Sequence, residues 1–201
     1  MIADKMANKY PISIFVTVPY TDIATISNAT NNIIVTAQHM DGISPGRGMG
    51  YALPNSIKNA GANATFLNHA EHSLTTSELV KSIEKANQLN ILTIVCADSI
   101  AEAKALSMLN PDIILCEPTE LIGTGKTSDE SYIIKTNEAI KSINPDILVM
   151  QAAGISTADD VYKTILLGAD GTGCTSGIVC ADDPKKMLID MIEAAVKASK
   201  E

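Results

Sequence analysis

The chain has 201 residues, 46% of them hydrophobic, 3% aromatic and none tryptophan, which suits one domain with a sizeable aliphatic core. A net charge of −8 and a pI near 4.8 argue against broad phosphate-backbone binding, and so few aromatics leave no stacking platform for bases, so no nucleic-acid partner is expected. No apolar run approaches the ~18 residues of a membrane helix, and residues 1–10 are too polar for a signal-peptide core. Cys96, Cys116, Cys174 and Cys180 are isolated, with no paired spacing and no histidine at ligand distance, so no metal site is expected. They read as reduced core residues of a cytoplasmic protein.

Met1 to Lys9 suits the last turns of an amphipathic helix, with no cap before it. Pro11 stops it. Ile12 to Val18 alternates as a strand, and a helix follows from Thr21 or Asp22 as N-cap. Ile33 to Ala37 is the next strand, followed by a long polar loop through Gly42, Pro45, Gly46, Gly48 and Gly50 into a short helix near Pro54. Ala64 to Leu67 is a strand that delivers Asn68-His69-Ala70-Glu71 at its carboxyl end. Then come a helix from about Ser77 to Leu89, a strand from Ile91 to Cys96 and a helix from Ser99 to Leu109, stopped by Asn110-Pro111.

Residues 112 to 117 form a buried strand, and Glu117 emerges where it stops. A helix from about Asp129 to Ile143, a strand from Ile147 to Met150 and a tight turn at 153–157 lead into a helix from Ala158 to Leu167. Gly171 to Thr175 is the last strand, with Ser176-Gly177 beginning its exit, and Pro184 opens a final amphipathic helix to about Ala198. Seven strands, each followed by a helix and none close enough to pair as a hairpin, predict an all-parallel sheet. A doubly wound sheet and a (β/α)₈ barrel compete; the missing GxGxxG after the first strand and the even cadence favour the barrel.

In parallel α/β folds chemistry gathers at the carboxyl ends of the strands, where Glu117 and His69 both fall. A carboxylate and an imidazole facing one pocket can move a proton between adjacent carbons of a sugar, the imidazole polarising the carbonyl. Gly154 to Thr157 and Thr175 to Gly177 follow the last two strands, where backbone N–H groups can trap a phosphate. Each has a blander reading: His69 as a structural residue, Glu117 as a surface carboxylate, the two turns as common turn chemistry.

Thr36-Ala37-Gln38-His39, Leu67-Asn68-His69-Ala70-Glu71, the block at 95–98, the run Glu117-Pro118-Thr119-Glu120-Leu121-Ile122-Gly123-Thr124-Gly125 and Ala153-Gly154-Ile155-Ser156-Thr157 together resemble the triosephosphate isomerases, most closely their short archaeal form. The similarity runs in order over essentially the whole chain. It implies one (β/α)₈ TIM barrel over residues 1–201, with seven recognisable strands and the first missing, and interconversion of glyceraldehyde 3-phosphate and dihydroxyacetone phosphate without metal or cofactor. Glu117 resembles the general base, His69 the neutral electrophile and residues 118–125 the lid; this family is itself the standard illustration of those roles. Gly125, Ser156, Thr175, Ser176 and Gly177 fall at phosphate-gripping positions, and Glu71 resembles the carboxylate that pairs with the family's catalytic lysine.

That lysine belongs to an Asn-x-Lys strand, and the sequence opens in the helix after it; Asn8-Lys9 has the wrong spacing. Reduced activity, and marginal stability unless the chain oligomerises, are the expectations from an N-terminally incomplete barrel, whether truncated or genuinely short. The alternatives are a barrel acting on a larger phosphorylated sugar and a non-catalytic phosphate-binding or assembly protein. By resemblance the loop from Gly42 to Gly50 is the oligomerisation loop, of a homodimer or homotetramer.

Overall fold

The computed structural model describes residues 1–118 and 129–201, and their contacts group into two compact units. The first comprises Met1, Ala3–Lys9 and Ser13–Cys96; the second Ile2, Tyr10–Ile12 and Ala97–Glu201.

The first unit contains α1 (Ile2–Lys9) from Ala3 on, β1 (Phe15–Val18), α2 (Ile23–Asn28), β2 (Ile34–Ala37), α3 (Pro54–Asn59), β3 (Ala64–Leu67), α4 (Thr76–Leu89) and β4 (Leu92–Ala97) as far as Cys96. β1 pairs with β2, β2 with β3 and β3 with β4, every pair parallel and in chain order. Such strands are covered by helices on their faces, and β4 is buried at every residue after Leu92. Asp4 of α1 accepts from the N–H groups of Asn31 (2.9 Å) and Asn32 (2.7 Å), so the first helix is tied to the turn that opens β2.

The second unit contains α5 (Ile100–Ser107), β5 (Ile113–Cys116), α6 (Glu130–Ile143), β6 (Leu148–Gln151), α7 (Ala158–Leu166), β7 (Gly171–Thr172), α8 (Ser176–Val179) and α9 (Pro184–Ala198). β5 pairs with β6 and β6 with β7, again parallel. Ile155, Val161 and Met191 form a core where α7 meets α9, with Cys174 and Ile178 packed against it. No described helix is long and apolar enough to cross a membrane.

The predicted α/β cadence holds; the differences lie at element ends and in the short α8, where the sequence predicts only the exit of the last strand. β1 starts three residues later than predicted, because Ile12 to Ile14 runs out of a turn closed by Ile12 N–H on the Tyr10 carbonyl. A short 3₁₀ turn at Tyr20–Asp22 precedes α2, and Asp22 makes no side-chain cap. β7 is two residues instead of five: its pairing with Met150 and Gln151 ends at Thr172. Cys96 and Cys116 are buried as predicted, but Cys174 is half-buried and Cys180 exposed just beyond α8, so those two are not core residues.

Candidate active site

In the first unit His69 is set by the two residues before and after it. Asn68, the first residue past β3, has φ +58, a left-handed conformation that asparagine tolerates better than most residues. Its side chain reaches both ways, donating from Nδ2 to the Cys96 carbonyl (3.1 Å) and accepting at Oδ1 from the Leu74 N–H (3.0 Å). The next four residues form a turn closed by the His72 N–H on the His69 carbonyl at 2.8 Å. Thr75 and Glu78 then close the segment with a reciprocal capping box on α4.

Inside that turn the Glu71 N–H donates to His69 Nδ1 at 3.3 Å. An accepting Nδ1 carries no proton, so this bond assigns the proton of the neutral ring to Nε2. Glu71 Oε2 is also 3.7 Å from Nδ1, but that is beyond hydrogen-bond reach and the carboxylate is 90% exposed, so the backbone contact decides the tautomer. Glu71, singled out for its carboxylate, therefore engages His69 through its main chain.

His39 and His72 were not singled out as site residues. The His39 ring is buried, its Nε2 lies 3.3 Å from Asp41 Oδ1, and it stacks on His72 with centroids 4.1 Å apart. Burial, against the Asp41 hydrogen bond and with help from the nearby His72, holds the His39 imidazole below its usual value. The signal was available: the chain has three histidines, and all fall in the loops after β2 and β3.

In the second unit Glu117 is the first residue past β5, whose four residues are all buried. Its N–H donates to the Ala97 carbonyl at 2.9 Å, and the residue is half-buried. Burial pushes the preceding Cys116 thiol up to about 12, so that thiol stays protonated at neutral pH. Pro118 is buried; the remainder of the predicted lid, with Gly125, lies outside the described residues.

The two predicted phosphate turns are brought into contact. A Cβ on Gly177 would meet the Ile155 carbonyl oxygen at 2.7 Å, Ser156 Cα at 2.9 Å and Cys174 Sγ at 3.2 Å, so α8 reaches this close only with glycine there. Gly154 has φ +69, and Ile155 anchors its turn in the α7–α9 core. Thr175 and Ser176 start α8, whose first N–H groups have no carbonyl of their own helix to reach.

Ser156 is placed differently. Its N–H and the Thr157 N–H both donate to Asp160 Oδ2, at 3.1 and 2.8 Å, and Thr157 completes a capping box with Asp160. Burial raises the Asp160 carboxyl, but hydrogen bonds from Thr157 and Ser156 outweigh it and hold the group below 3.8. The N-terminal donors of α7 already have an internal anion. Among the described residues, no group of three or more His, Cys, Asp or Glu could hold a metal ion.

A family model described as triosephosphate isomerase matches residues 1–195. The chain is 40% identical over 193 residues to the triosephosphate isomerase of Methanobacterium bryantii, covering 94% of this chain and 85% of that one. It is 39% identical over 199 residues to the enzyme of that name from Sulfolobus acidocaldarius, covering 97% and 85%, and 36% over 195 residues to that of Methanocaldococcus jannaschii, covering 96% and 89%. With parallel strands in chain order, a histidine after β3 and a carboxylate after β5, the chain belongs to the triosephosphate isomerase family and has its TIM-barrel fold, with seven strands among the described residues.

Proposed function

We propose that residues 1–201 act as one TIM-barrel domain that interconverts glyceraldehyde 3-phosphate and dihydroxyacetone phosphate through an enediolate. The Glu117 carboxylate takes the proton from the carbon beside the carbonyl, and the electron pair of that C–H bond becomes the new C=C bond. The carbonyl oxygen takes up the negative charge and accepts a hydrogen bond from His69 Nε2–H. His69 gives its Nε2 proton to that oxygen and takes up the hydroxyl proton of the neighbouring carbon, and protonated Glu117 returns its proton to that carbon as its oxygen becomes the carbonyl. The observation that carries the reading is the Glu71 N–H on His69 Nδ1, which leaves Nε2–H as the donor.

The phosphate is assigned to the touching turns at Gly154 and at Thr175, Ser176 and Gly177, and by resemblance to Gly125. Ser156 is retained there through the turn it shapes. We place Glu71 at the site as a positioning residue. The chain is read as cytoplasmic, consistent with free cysteines, and as a homodimer or homotetramer, consistent with the exposed Met49 and Tyr51 on the long loop after β2. Neither the lowered activity nor the non-catalytic alternative expected from sequence gains support, and an active isomerase is the reading adopted.

The test is Glu117→Gln assayed in both directions. We expect kcat to fall by about 10²–10⁴-fold with the thermal midpoint unchanged, as for loss of a general base. Turnover within a few-fold of the unaltered chain would remove Glu117 from the mechanism.

A further inference from the structure

We propose that His72, stacked on buried His39, is a positioning residue for His69, holding the turn that aims its imidazole. The proposal rests on the reading of His69 as the group that polarises the substrate carbonyl. His69 and His72 are the first and last residues of one turn, joined by the His72 N–H on the His69 carbonyl. Whatever fixes the His72 backbone therefore fixes the His69 backbone, three residues away in sequence and one hydrogen bond away in space.

The amino-terminal side of the turn is already held, because the Asn68 side chain ties it to Cys96 and Leu74. The His72 side is held by a ring contact. His39 is 4% exposed, and its Nε2 faces Asp41 Oδ1, which can only accept, so Nε2 carries the proton. Its Nδ1 is buried with no hydrogen-bond partner among the described residues, so the ring is held by Asp41 on one edge and by His72 on one face.

Asp41 is itself fixed. Its Oδ2 accepts from the Ala52 N–H at 2.6 Å, and its own N–H donates to the Ala52 carbonyl at 3.0 Å, closing the base of the loop after β2. The path Ala52, Asp41, His39, His72, His69 thus runs from one strand-end loop to the next through two backbone bonds, two side-chain bonds and one stack. A misplacement of about 1 Å in a catalytic group can cost roughly 100-fold in rate, so a contact of this kind acts on kcat without touching substrate.

The test uses the full chain with His72→Ala, which removes the stack, His72→Phe, which keeps a ring over His39, and His69→Gln. Each is measured for kcat, KM, thermal midpoint and imidazole ¹⁵N resonances, which are readable because the chain has three histidines. We expect His72→Ala to lower kcat by about tenfold or more, with KM and the midpoint little changed and the His69 signals shifted or broadened; His72→Phe should restore most of kcat. Unaltered kcat and His69 signals in His72→Ala would overturn the proposal, as would a folded His72→Phe as slow as His72→Ala. If His69→Gln kept full turnover, the functional reading of His69 would fall, and the His69 signals in His72→Ala would still decide whether the stack positions that ring.

Discussion

Asp160 shows how one residue changes what a helix N-terminus can bind. Its carboxylate fills the place that sequence reasoning reserved for a substrate phosphate at Ser156. The signal was in the sequence as Thr157 followed three residues later by an acid, a capping box. The consequence is a pH dependence of stability. Hydrogen bonds hold Asp160 below its ordinary 3.8 in the folded chain, so its contribution is complete above that value and is lost as pH falls through the lower folded value. Acid unfolding of Asp160→Asn should lose this component, and Thr157→Ala should cost about 1 kcal/mol at neutral pH by denaturant titration. The positions of His69 and Glu117 were legible because each follows an apolar strand. That Glu71 acts through its N–H was not, since a sequence lists side chains and the turn geometry is a property of the fold.

At the level of elements, the close approach of α8 to the turn before α7 is the feature most sensitive to one atom. Gly177→Ala would push a methyl into the Ile155 carbonyl oxygen, a backbone atom that cannot rotate away. We expect a loss of about 1–3 kcal/mol in denaturant titration, together with a raised KM for the phosphorylated substrate as the two turns separate. Alternation of buried strands and capped helices made the order of elements readable. Element ends were not readable where pairing, rather than composition, sets them. β7 illustrates this: Gly171 and Thr172 pair with β6, while Gly173 to Thr175 are diverted toward α8.

For the whole molecule, the loop after β2 is the segment proposed for assembly. Met49 is fully exposed and Tyr51 60% exposed, on a loop whose base is closed by Asp41 and Ala52. Met49→Asp should shift the chain toward monomer in light scattering and lower its turnover; an unchanged oligomer would take Met49 out of the interface.

The central claim is proton transfer through an enediolate, and its most direct measurement is the conversion of glyceraldehyde 3-phosphate by the full chain in D₂O, followed by NMR. The expected result is dihydroxyacetone phosphate carrying deuterium on one face of the carbon that gains the proton, with Glu117→Gln abolishing its formation. Product free of deuterium, deuterium on both faces, or no turnover by the unaltered chain would contradict it.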